Sequence, residues 1–186
     1  TFKNVKYYFP RGEGGKPYTY SKKNENEYLI YAFSLADIYE DLDLLFSDVI
    51  DEYHTVESFS RYIKRDWKKA DGRLDIPSKR YHLYAENWTE LKKILENNMD
   101  ALASTYNLRQ DTLGRIKREL DRLTNFPIFV DKRSNTEKFI REVIRNANPG
   151  ETIVIDIAKL ELNLQTFIVG EVFRELENII RTETEI

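Results

Sequence analysis

Apolar residues along this chain change their spacing twice. The opening segment "KNVKYYF" at 3–9 and the segment "YLIYAF" at 28–33 are β-branched and aromatic runs of strand length, and each predicts a β-strand. Pro10 ends the first, "RGEGGKPY" reads as a turn, and the polar run "SKKNENE" reads as an exposed loop. From residue 34 the period lengthens. Leu35, Ile38, Leu42, Leu45 and Val49 recur at steps of three and four, widened by Phe46, Ile50 and Tyr53, which predicts an amphipathic helix. Residues 56–69, "VESFSRYIKRDWKK", predict a second helix, with Phe59, Ile63 and Trp67 on one side and Arg61, Lys64, Arg65 and Lys68 on another. "DGRLDIPSKR" carries Asp-Gly and Ile-Pro and predicts a loop. A third helix is predicted over 85–103 and a fourth over 110–123, so that 34–123 reads as one all-helical block.

The third regime begins at Asn125. "FPIFV" predicts a short strand. "SNTEKFIREVIRNA" predicts a helix opened by a capping box, Ser134 with Glu137 three residues on, and "NPG" stops it. "TIVIDI" is a continuous apolar run of the kind buried on both faces of a parallel sheet. "LNLQTFIVGEVFRELENII" predicts a long helix whose apolar residues cover more than half its girth. At about 1.5–3 kcal/mol per buried side chain, that face must pack on the sheet or on another subunit. Strand, helix, strand, helix with short links predicts a parallel βαβα unit. The fold class is therefore α/β: about four helices inserted in a partial parallel sheet, with 1–33 and 124–186 forming the sheet segment and 34–123 the insertion.

Composition narrows the function. The 186 residues are 41% apolar and a third charged, with a net charge of −3. That balance exerts no global pull on nucleic acid or an acidic membrane, so any basic site must be local. The absence of cysteine excludes disulfides, thiolate catalysis and cysteine-based zinc sites, and fits a reducing, cytoplasmic setting. No apolar run approaches the roughly 20 residues of a membrane helix. The missing initiator Met suggests a processed piece or an excised domain.

Candidate chemistry is sparse. "GEGGK" at 12–16 contains Gly-Lys but fails the phosphate-loop pattern: Pro10 stands where its first Gly belongs, and Pro17 follows Lys16. The chain alone is not expected to bind ATP. Asp156 ends an apolar strand, as a magnesium-holding acid does, but Ile157 follows where a second acid would polarise water. It reads instead as a strand-end residue that hydrogen-bonds a loop. His54 and His82 show no metal-ligand spacing, and Asp37 and Asp41, one helical turn apart, read as solvated charge on an outer helix face. Two basic stripes remain: Arg61, Lys64, Arg65 and Lys68 on the second helix, and Arg115, Arg118 and Arg122 on the fourth. Such stripes can track phosphates without reading bases; the competing reading is a solvated face, or pairing with the first helix, which carries eight acids and no Lys or Arg between 34 and 57.

The segment 112–181, from "TLGRIKRELDRL" through "PGETIVIDIAKLEL" to the helix that begins at Gln165, resembles the central part of HerA-type ATPases, relatives of FtsK. Residues 1–111 match only in the order and type of elements, and Ala158 stands where a Ser is common. The resemblance implies a RecA-like sheet interrupted by a helical block, in a hexameric motor that moves double-stranded DNA by ATP hydrolysis with magnesium. It implies a NurA-type nuclease as a partner. It also implies that the phosphate loop lies N-terminal to this region and the magnesium-binding acid pair after the last helix, so no catalytic residue carries over to a position here. The expected function is the subunit, partner or DNA-backbone contacts of such a translocase. A stand-alone DNA-binding adaptor and a small metal-dependent nuclease are the rival readings.

Overall fold

The structure, a computed structural model, describes residues 4–21, 28–47, 49, 54–66, 68–70, 73–77 and 82–184. The chain divides into two compact units, Thr1–Phe33 with Arg133–Ile186, and Ser34–Lys132. The first is thus assembled from both ends of the chain, and the second is the stretch between them. Among the described residues, no helix is long and apolar enough to cross a membrane.

The first unit is a four-stranded parallel sheet with helices packed on it. Strand β1 (Val5–Pro10) pairs with β2 (Leu29–Tyr31) on one side. On the other it pairs with a strand at Thr152–Ile155, in the register Tyr7 opposite Val154. Beyond β2 lies a two-residue strand, Glu137–Lys138, also parallel. A short helix at Ile140–Arg145 and a long one at Leu162–Thr184 complete the unit. Aromatic edges carry the core from sheet to helix: Phe33 meets Tyr31 at 6.0 Å, Phe139 at 6.0 Å and Phe167 at 5.2 Å, each ring near perpendicular to its neighbour.

Two expectations fail here for identifiable reasons. The Ser134–Glu137 signature does form its hydrogen bond, Ser134 N–H to Glu137 Oε2 at 2.8 Å. It closes a turn, not a helix, because the other Glu137 oxygen is taken by Arg11 Nε at 2.6 Å and the Glu137 backbone enters the sheet. The helix starts only at Ile140. "TIVI" is not buried on both faces: it is the sheet's edge in this unit, none of its four residues is buried, and Val154 is 36% exposed.

The two helices are joined by paired charges. Arg141 lies 2.8 Å from Glu171, and Arg145 grips Glu175 through two hydrogen bonds of 2.8 and 3.0 Å. Both glutamates are buried. Each rung is spaced four residues from the next on both helices, one helical turn.

The second unit is helical with a β-meander inside it. Its helices are α1 (Leu35–Ile38), α2 (Leu42–Leu45), α3 (Thr55–Asp66), α4 (Trp88–Asn97), α5 (Met99–Tyr106) and α6 (Gln110–Leu123). Helix α6 touches α3, α4 and α5, and buries Leu113, Ile116, Leu120 and Leu123. The continuous first helix of the periodicity is instead α1 and α2 joined by a 3-10 turn at Tyr39–Asp41. Ser34 and Asp37 form a capping box at its start, and Asp41 is buried, so these two acids do not share a solvated face. The predicted loop at 71–80 holds a strand: β3 (Lys68–Ala70), β4 (Arg73–Pro77) and β5 (His82–Ala85) form an antiparallel sheet, which replaces the all-helical reading. Only backbone is described through this sheet as far as 84, and the predicted contacts of Tyr53 and Trp67 lie outside the described residues. "FPIFV" is a turn after α6 that ends in a single β-bridge residue, Phe129, whose N–H donates to Phe126 C=O at 3.0 Å; its apolar residues Ile128 and Phe129 are buried. Pro127 fixes the backbone of that turn and offers no N–H to a ladder. For the remaining elements, β6 denotes Glu137–Lys138, α7 Ile140–Arg145, β7 Thr152–Ile155 and α8 Leu162–Thr184.

Removing one member of a buried ion pair strands the other, at a cost of about 3–5 kcal/mol. Glu171→Ala should lose that much in urea unfolding, whereas Arg141→Met with Glu171→Leu should match the wild type or exceed it; equal losses in both variants would refute a paired-charge contact. A second test uses pH. The Lys6 ammonium holds the Glu151 carboxyl below the usual range, with the Asn148 N–H assisting. Because the folded value is the lower one, the stabilisation is complete above the ordinary glutamate range and disappears as pH falls through the folded value. The stability gap between wild type and Lys6→Met should therefore be widest near neutrality and close in acid.

Candidate functional site at the strand ends and on the arginine helix

Strand order in the first unit is β6-β2-β1-β7. In chain order that is third, second, first, fourth. The chain steps outward from β1 and then returns to its other side, and the carboxyl ends of β1 and β7 flank the reversal. Open parallel sheets bind ligands in the crevice at such a point.

Local chemistry shapes both lips of this crevice. After β1, residues 11–17 fold back on themselves: Arg11 bridges Pro17, Gly12 N–H donates to Lys16 C=O at 2.6 Å, and Tyr18 N–H to Pro10 C=O at 2.8 Å. Gly14 and Gly15 sit at φ 62° and 75°, a backbone region that side chains strain to enter, which accounts for glycine at both. The turn leads back along β1 and opens no long helix, so it offers no helix N-terminus to a phosphate.

On the other lip stands Asp156. Its Oδ2 accepts from Thr19 Oγ1 at 2.5 Å, and its Oδ1 from Ala158 N–H at 2.9 Å. Its carbonyl accepts from the Tyr31 hydroxyl at 2.8 Å. Tyr31 is fully buried, and that burial pushes its hydroxyl well above the ordinary tyrosine value, keeping it a donor. Asp156 is thus a strand-end residue that pins the loop carrying Thr19. Lys159 reinforces the pin, its ammonium 4.3 Å from the Tyr18 ring centre and 5.6 Å from that of Tyr20. Asp156 also lines a largely apolar pocket of about 390 Å³, with Tyr7, Phe9, Val154 and Ile157 among others. Among the described residues, no group of three or more His, Asp or Glu is placed to hold a metal ion.

The basic residues fall into two sets. Arg115, Arg118 and Arg122 all lie on α6 and are exposed, opposite the buried Leu113, Ile116 and Leu120. Arg122 bonds Glu119 at 2.6 and 3.1 Å and lies 6.0 Å from the Phe126 ring, so the third arginine is held in place. The other stripe is shorter than the periodicity predicts. Helix α3 ends at Asp66, and Lys68 belongs to β3, which removes it from the helical face. Arg61 is exposed and pairs with Glu57 one turn earlier; the side chains of Lys64 and Arg65 lie outside the described residues.

Thr19, Tyr18, Tyr20 and Lys159 escaped the reading of the sequence. The alternation in "PYTY" was the available signal, since it puts two rings on one side and a hydroxyl on the other. No protein-family model matches the chain, and no curated protein matches its sequence.

Asp156→Ala removes the acceptor of two donors. Losing those bonds should cost roughly 0.5–1.5 kcal/mol each, and proteolysis should cut the 17–21 loop faster than in the wild type. An unchanged cleavage rate would show that Asp156 does not hold the loop.

Proposed function

We propose that this chain is part of a HerA-like, ATP-driven double-stranded DNA translocase, and that it supplies contacts to the DNA backbone and to neighbouring subunits. The observation that carries the reading is the exposed arginine face of α6, three cations on one helical side in a chain of net charge −3. Such a face suits phosphates, which position a protein on a duplex without specifying sequence. The sequence resemblance over 112–181 supports the motor, as does a parallel sheet whose second and third strands are separated by a helix-bearing unit. In this reading ATP and magnesium are bound by parts of the parent protein other than these residues, six copies form a ring, a NurA-type nuclease is the partner, and the setting is cytoplasmic. A free-standing DNA-binding adaptor would use the same α6 face. The nuclease reading has less to draw on, since Asp37 is engaged in the capping box and Asp156 in the loop.

Fluorescence anisotropy with a labelled duplex tests the contact. The chain should bind in a salt-dependent way, and Arg115→Glu with Arg118→Glu and Arg122→Glu should weaken binding and flatten the log–log salt slope by about 2.7, the value for three phosphates. Unaltered binding by the triple variant would overturn the arginine-face assignment. Nucleotide separates motor from adaptor: the motor reading requires that a longer chain including these residues bind ATP while this one does not.

A further inference from the structure

Helix α6 carries a glycine on its outward side. The buried Thr112, Leu113, Ile116, Leu120 and Leu123 define the inward direction of the helix, and at about 100° per residue Gly114 lies within about 30° of the opposite direction. It stands well inside the helix, which runs from Gln110 to Leu123, so neither end calls for it. Glycine there weakens the helix, because it gives up more backbone freedom on folding than any other residue. Among the described residues, nothing requires it. Its backbone lies outside the positive-φ region that Gly14, Gly15 and Gly150 occupy. A Cβ at this position would meet only Arg118 Nη1, at 3.8 Å, an ordinary van der Waals contact.

We propose that Gly114 is the point where a DNA duplex backbone comes closest to α6, with one phosphate resting on the bare helix backbone beside Arg118. The inference rests on the reading of α6 as a duplex-contacting face and adds the place of closest contact. A helix without a Cβ at one position admits a ligand close to its backbone, and the Cα–H groups there can meet an oxygen at about 3.3–3.6 Å. The rim of the notch decides what that ligand is. Lys117 and Arg118 stand one turn further on, to either side of Gly114, and Arg115 follows it directly. Between residues 109 and 122 there are five Lys or Arg against three Asp or Glu. Of those acids, Asp111 is held by Arg109 at 3.3 Å and Asp121 by Lys117 at 2.9 Å. A protein helix packed into the notch would have to bury these charges, whereas phosphate oxygens pair with them in charge-assisted hydrogen bonds.

Two readouts of opposite sign test this. Gly114→Ala and Gly114→Leu put better helix formers on the outward side, so both should raise the urea midpoint of unfolding. In fluorescence anisotropy the same variants should bind a labelled duplex more weakly than the wild type, Leu more so than Ala. Their log–log salt slope should be smaller by about 0.9, the share of one phosphate. A lower urea midpoint for Gly114→Ala would show that the fold needs the glycine and would overturn the inference. Wild-type binding by both variants would overturn it too; if the triple variant at Arg115, Arg118 and Arg122 still loses binding, the arginine face stands and only the point of approach is wrong. Unaltered binding in all three variants would remove both.

Discussion

Strand β1 is the element on which the first unit depends, because it alone is paired in parallel on both sides by strands of three residues or more. Parallel neighbours cannot be joined by a tight turn, so each pairing demands a long connection. The chain meets that demand in three ways. Between β1 and β2 it uses the loop anchored by Thr19 and Asp156; between β2 and β6 it places the whole second unit; and β7, which pairs with β1, is reached from β6 through α7. The switch-point crevice follows from the same constraint, since β7 must return to the free side of β1.

Long periodic stretches were the legible part of the sequence. Helix α6 occupies the span its apolar spacing predicts, and the parallel sheet follows from apolar strands alternating with helical patterns. Short segments were misread where a local signal had two structural outcomes. Ser134 and Glu137 make the same hydrogen bond in a turn as in a helix start, and what decided between them was Arg11, 126 residues away in sequence. "FPIFV" is apolar because the turn is buried, and burial alone does not distinguish turn from strand. The β3–β5 meander was hidden by Asp-Gly and Ile-Pro, which mark turns but also sit at strand ends.

Local features of the candidate site were legible. The failed phosphate-loop pattern at 12–16 corresponds to a turn that folds back on β1, and the lone acid at 156 to a carboxylate engaged by a hydroxyl and a backbone N–H. Contacts between distant segments were not. Tyr18 and Tyr20 meet Lys159 across about three quarters of the chain, and no local period encodes such a contact. On the basic faces, a helical wheel extended past Asp66 added Lys68 to a stripe that the backbone ends before reaching.

Helix α8 shows how polarity and depth can part company. Counting apolar residues gives most of its girth to the interior, yet Phe173 and Ile180 face outward while Glu171 and Glu175 face inward. The inward acids are tolerable because α7 presents Arg141 and Arg145 at the same four-residue spacing. Rotating α8 to bury Phe173 would carry both carboxylates away from their arginines, and an unpaired buried charge costs more than one buried aromatic ring returns. The pairing thus fixes which face of α8 meets the body of the unit. The outward apolar seam is a consequence of that choice, and the matching spacing of Arg141 with Arg145 and of Glu171 with Glu175 carried the information in the sequence.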